Sequence, residues 1–318
     1  MGRGSEKRVT SNANGKASSL PALDERLSVS ISALKENSAQ KEAPSMCRLA
    51  TEYAYCWDLQ QQNRQIASQI EAQSVSFNSA TSTEIKRDLA SSLRSLLTRE
   101  KINQAALQHC EGVDVPSSET TVQLLRGAAL LGHVPSMSLY ATGQAFNSSN
   151  YLQALESMKT YRGEAKAIAI SAASKGDLTS MFALADAYRT PNQYTAWTML
   201  GDAVEDDDIE ALAYYYQLEK IYENNARPYA DRAKPFISER IEALTNMLSP
   251  SSVALARDRA VQRVAKWTLP PIDARAYVAG INSSPSPDML RAACASHGPS
   301  TPSKIYRETL TGEVEELK

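Results

Sequence analysis

SAASKGDLTSMFALADAYR, residues Ser171 to Arg189, divides at Lys175-Gly176-Asp177 into two halves. Small residues lead into the break. After it Ser180, Met181, Leu184, Ala185 and Tyr188 recur at helical spacing and mark one face of an amphipathic helix. Glycine at such a break supplies the left-handed backbone that ends a helix. The stretch therefore reads as a helix end, a tight turn and a second helix.

The pattern occurs more than once. Set against GAALLGHVPSMSLYATGQAF at a shift of 44 residues, Ala128/Ala172, Ala129/Ala173, Gly132/Gly176, Ser136/Ser180, Met137/Met181 and Ala141/Ala185 coincide. A third copy, DAVEDDDIEALAYYYQLEKI, follows at a further 31 residues and sets Ala203 with Ala172, Asp208 with Asp177, Ala211 with Ser180 and Leu212 with Met181. One such helix pair cannot bury its own apolar stripe, so pairs stack.

These residues resemble the SEL-one-like repeat, a relative of the tetratricopeptide repeat with an A-x-x-G-(D/H/N)-x-x-(A/S)-x-x-x-L-(A/G) core. The match runs over roughly residues 120 to 225. Ala129-x-x-Gly132-His133 with Met137, and Ala173-x-x-Gly176-Asp177 with Met181, carry it, and Leu212 holds the place in the third copy. The family's second turn, Y-x-x-G-x-G, is approached only by Tyr140-Ala141-Thr142-Gly143. The helix ending in Trp267 looks like the closing helix of such arrays. The resemblance implies an all-α, helix-hairpin solenoid with extra N-terminal helices and a capping C-terminal region, and a non-enzymatic protein-binding or peptide-binding role.

The rest of the chain is read as four parts. Residues 1 to about 20 are polar, begin with what looks like a vector-derived MGRGS, and are expected to be disordered. Residues 21–115 form an N-terminal helical segment: a helix carrying Leu23, Leu27, Ile31 and Leu34, a long helix from about Ser45 to near Ala72, a loop SVSFNSATST, and two helices running to about Cys110. Thr81 and Glu84 make a capping box for the first of these two. Residues 116–268 hold the repeats, ending in a helix capped by Ser249 with Pro250 at its first position. Residues 269–318 read as a helical cap and loose tail. No segment alternates as a strand would.

The 318 residues carry 34 basic and 36 acidic side chains, with no basic stripe of the kind that neutralises phosphates, so no nucleic-acid partner is expected. No run approaches the roughly 20 apolar residues of a membrane span. The four cysteines, Cys47, Cys56, Cys110 and Cys294, form no CxxC, and three histidines make a zinc site improbable. On one helix Cys47 and Cys56 would lie about 13 Å apart, too far to bond. Cys56 shares a core-facing stripe with Leu49, Tyr53, Ile66 and Ile70, and Cys110 ends an amphipathic run. A Cys56–Cys110 bridge is the first expectation and Cys47–Cys110 the second; four reduced cysteines are the alternative. An oxidised pair points to the periplasm or outside the cell, with the signal removed; without one the cytoplasm stands.

No nucleophile elbow, P-loop or dinucleotide motif occurs, and no cofactor is implied. EDDDIE, Glu205 to Glu210, lies where a helix begins and reads as a cap rather than a calcium loop. Tyr188, Trp197, Tyr214 and Tyr222 are the candidate partner contacts, since tyrosines on several sides of one helix cannot all face its core. A hydrolase built on paired carboxylates and a purely structural envelope protein are the alternatives to a binding scaffold. The oligomeric state and the partner stay open.

Overall fold

Gly132 and Gly176 both adopt left-handed backbone, with φ of 85° and 89°. They close the preceding helices with the same bonds. Gly132 N–H donates to Ala129 O (2.8 Å) and His133 N–H to Ala128 O (3.1 Å). Gly176 N–H donates to Ala173 O (2.9 Å) and Asp177 N–H to Ala172 O (3.1 Å). In each case carbonyls left orphaned by the helix end gain donors from the turn.

The computed structural model describes residues 20–146, 154–189, 198–223, 230–266, 291 and 293–294. Among these, all regular structure is helical, in ten α-helices and two 3-10 turns. They are α1 (Leu27–Ala39), α2 (Ala43–Ser79), α3 (Thr83–Leu107), α4 (Ser118–Leu130), α5 (Val134–Ala141), α6 (Leu155–Ser174), α7 (Leu178–Ala187), α8 (Asp208–Glu223), α9 (Ala230–Met247) and α10 (Pro250–Lys266). From α4 to α8 each helix packs on the next in the chain; α4 also packs extensively on α2, and α8 takes both α9 and α10.

Alanine lets the helices approach closely. Ala165, Ala169, Ala172 and Ala173 on α6 are all inaccessible to solvent, as are Met137, Met181 and Leu184 on the helices they meet. Each of these larger side chains contributes about 1.5–3 kcal/mol by leaving water. Polar side chains tie one hairpin to the next. Arg126 on α4 grips Glu164 on α6 with two bonds (2.6 and 2.8 Å), and Tyr140 on α5 donates to the same carboxylate (2.7 Å).

The third aligned stretch is set one residue away from its sequence alignment. Asp177 caps α7 by accepting from Ser180 N–H (2.7 Å), and Asp207 caps α8 by accepting from Glu210 N–H (3.0 Å). Met181 and Ala211 donate to those two caps' carbonyls. Asp207 rather than Asp208 thus matches Asp177, and Ala211 rather than Leu212 matches Met181; Leu212 is buried beside it. The helix expected before this turn is represented among the described residues only by a 3-10 turn, Gly201–Ala203, packed on α6.

Gly143 also adopts left-handed backbone, at φ 81°, and Met199 packs directly over it. A Cβ added there would stand 2.6 Å from the Met199 Cβ. Gly143→Ala is expected to destabilise the chain by at least about 2 kcal/mol, combining left-handed strain with overpacking. Urea unfolding of the variant measures this, and an unchanged midpoint would refute it.

The N-terminal helices depart from the sequence reading. α2 does not stop near Ala72 but continues through the presumed loop to Ser79. Ser74 and Ser76 donate to the carbonyls one turn back (2.7 and 3.0 Å), satisfying their hydroxyls inside the helix. One helix, α3, replaces the two expected before Cys110, and Ser82 rather than Thr81 is its cap, accepting from Ile85 N–H. α2 and α3 form an antiparallel coiled-coil hairpin. The heptad positions are Cys56, Leu59, Asn63, Ile66, Ile70, Gln73 and Phe77 on α2, facing Leu89, Leu93, Leu96, Glu100, Asn103 and Leu107 on α3. Asn103 donates to Asn63 Oδ1 (3.3 Å) and Leu59 O (3.0 Å), a polar layer that fixes the register.

Two disulfides close the N-terminal part. Cys56 joins Cys110, tying α2 to the end of α3. Cys47 joins Cys294 rather than Cys110. Apart from Arg291, Ala293 and Cys294, the expected C-terminal cap and tail lie outside the described residues, as do residues 1–19.

Candidate functional site

Two of the four candidate contact residues meet. Tyr188, closing α7, stacks on Tyr214 of α8 with ring centroids 5.9 Å apart and planes 15° from parallel. Lys166 of α6 lies over the Tyr188 ring at 5.5 Å, and Arg263 of α10 over Tyr214 at 4.5 Å. The result is a cation–ring–ring–cation column spanning four helices. Each cation–ring contact is worth about 0.5–2 kcal/mol, more as water is excluded.

The column is held from one side by Glu210. Arg259 donates to it at 2.8 Å and Arg263 pairs with its other oxygen. Burial, reinforced by Glu210, pushes the Tyr188 hydroxyl up to about 12, and burial raises Tyr214 further. Both phenols keep their protons at physiological pH.

The tyrosines are interior residues. Tyr188, Tyr214 and Tyr222 are 6%, 2% and 4% exposed. Tyr222 stands apart from the column, its ring against Phe182 at 6.3 Å. Their rings pack helix against helix instead of lining an open groove, because the column and its flanking arginines close over them. Among the tyrosines of α8, Tyr216 is left partly exposed, covered on one face by Arg257 at 5.2 Å. Trp197 lies outside the described residues. The acidic cluster acts as a helix start: Asp207 Oδ1 accepts from both Ile209 and Glu210 N–H (3.0 Å each). No group of side chains suited to a metal ion occurs among the described residues.

A second constellation escaped the sequence reading. Glu52, on the buried half of α2, is 1% exposed. Arg48 one turn earlier donates to its Oε1 at 2.6 Å. His109 donates from Nε2 to its Oε2 at 2.8 Å, and the Arg291 Nε lies 3.0 Å from that same oxygen. Arg291 also stacks over Tyr55 at 4.3 Å and donates to Leu23 O. Burial alone would raise the Glu52 carboxyl. The His109 hydrogen bond and the charges of Arg48 and Arg291 outweigh it and hold the group below the ordinary glutamate range. The cluster sits beside both disulfides and joins four separate stretches of chain.

No family model, curated protein or solved structure matches the chain. No helix among the described residues is long and apolar enough to cross a membrane.

Proposed function

We propose that the chain is a non-enzymatic helical-repeat scaffold of an oxidising, envelope-type compartment, holding a protein or peptide partner. The observation that carries this reading is the repeated closure of α4–α5 and α6–α7. The Gly132 and Gly176 turns are closed by matching backbone bonds, which fits a repeated hairpin unit of the kind that stacks. The two disulfides fit an oxidising compartment. The charged clusters favour a framework over catalysis: Glu52, Glu164 and Glu210 are each engaged by arginines from another element. Groups held so tightly are poorly placed to exchange protons with a substrate.

Photo-crosslinking in the native host tests the proposal. A photoreactive residue at Arg162 or Lys166 on α6, or at the exposed Val261 on α10, is expected to give a discrete protein adduct on irradiation. A folded, oxidised chain that gives no adduct from any of these three positions, nor from a fourth at the exposed Leu97 on α3, would overturn the scaffold reading.

A further inference from the structure

Beyond Leu59 the α2–α3 hairpin stands with little cover. Ile66 is the one buried residue in the rest of α2, and Leu96 and Asn103 are the two in α3. The arm from Gln60 to Ser79 is about 30 Å long. A coiled coil of two helices leaves its seam half open, and Ile70, Phe77, Leu89 and Leu93 are only partly buried.

One side of this arm is chemically distinct. One step round from the seam, α2 presents Gln60, Ala67 and Ser74, and α3 presents Ala90, Leu97 and Gln104, each set at seven-residue intervals. Gln60 and Gln104 line the same cavity of about 570 Å³, so these two edges lie on the same side of the hairpin. The groove between them has a floor of small residues and one large apolar side chain, Leu97, which is 50% exposed. Arg87, Arg94 and Lys101, again seven residues apart, border it three positions before Ala90, Leu97 and Gln104. All three are exposed and make no ion pair among the described residues. From Gln60 to Leu107 the arm carries six basic and four acidic residues, in a chain whose net charge is −2.

We infer that this groove docks an acidic amphipathic helix of a partner protein, which would complete a three-helix coil. This rests on the scaffold reading and names the partner's chemistry. Seven-residue spacing on both walls matches a helix and no extended strand. Ala67, Ser74 and Ala90 admit its backbone, Leu97 meets its apolar stripe, and Arg87, Arg94 and Lys101 select carboxylates along its edge. At the base, the cavity holds the amides of Gln60, Gln104 and Gln108 with Arg26 and Glu111. Amides both donate and accept, as the unpaired backbone groups at a helix end demand.

The test uses the full oxidised chain and a fluorescein-labelled helical peptide of about 21 residues. It carries leucine at its apolar positions and glutamate at the flanking ones; a twin carries lysine for glutamate. Fluorescence anisotropy is expected to show binding of the glutamate peptide, weakened at about 0.5 M salt. The triple variant Arg87→Glu, Arg94→Glu, Lys101→Glu and the single variant Leu97→Asp should each lose about tenfold or more in affinity. Circular dichroism and absence of free thiols confirm that these exposed changes leave the fold intact. Equal binding of the two peptides, or indifference to charge reversal, would overturn the proposal. So would capture of phosphatidylglycerol vesicles with no peptide binding, which would make the arm a membrane-surface element. Crosslinked adducts from Arg162 or Lys166 without peptide binding would end the arm assignment and leave the scaffold reading standing.

Discussion

Replacing Glu52 with glutamine is expected to destabilise the chain by about 3–5 kcal/mol near neutral pH, the range for breaking a buried ion pair from one side. The loss comes from what remains. Arg48 and Arg291 are 2% and 5% exposed, and the substitution removes the carboxylate that both of these mutually repelling guanidinium groups share. His109 loses its acceptor as well. The same carboxylate makes stability depend on acidity in a definite direction. Its pKa in the fold lies below its value in the unfolded chain. The stabilisation is therefore complete above the ordinary glutamate range, about 4.3, and is lost as pH falls from there through the lowered value. Urea titrations across that window should show a shallower acid-side decline in Glu52→Gln than in the parent. Equal slopes, together with a loss below about 1 kcal/mol, would show that the cluster does not hold the helices together.

Removing the Cys47–Cys294 bridge is expected to cost still more than removing Cys56–Cys110. The first bridges a separation of 247 residues and the second one of 54. Restricting the unfolded chain over loops of these lengths is worth about 5 and about 4 kcal/mol respectively. Paired alanine variants avoid burying a new hydroxyl at sites where Cys47, Cys56 and Cys294 are inaccessible to solvent. Their urea midpoints should fall in that order, and thiol counting on the unfolded, unreduced parent should find no free sulfhydryl. The reverse order, or two free thiols, would contradict the long-range bridge.

Where the determinants are local, the sequence is legible. Gly132 and Gly176 stand at helix ends because few other residues take a positive φ, and the small residues before each mark close packing. Ser249 is visible as a cap because its hydroxyl serves a backbone N–H three residues on. The one-residue misplacement of the α8 cap has a plain cause: Asp206, Asp207 and Asp208 are chemically equivalent on paper, and only the fold selects Asp207. Ser74–Ser79 looked like a loop because serine and asparagine favour turns; Phe77, in step with Ile66, Ile70 and Gln73, was the contrary signal. Arg48 and Glu52, one turn apart on an otherwise apolar helix face, hinted at a buried charge. Their partner His109 lies 57 residues further on, and Arg291 near the other end of the chain, with no pattern linking them. The tyrosine column has the same character: helical spacing says that Tyr188 and Tyr214 exist on faces, and only packing decides that they face each other.

The bond between Cys47 and Cys294 also sets where mechanical load travels. A pull applied to the chain outside these two residues runs through α1, the first turn of α2 and the sulfur bridge. The helices from α3 to α10 lie within the closed loop and carry none of that tension. In the oxidised chain such a pull leaves the loop between the two cysteines closed, whereas the reduced chain would pay out helix by helix.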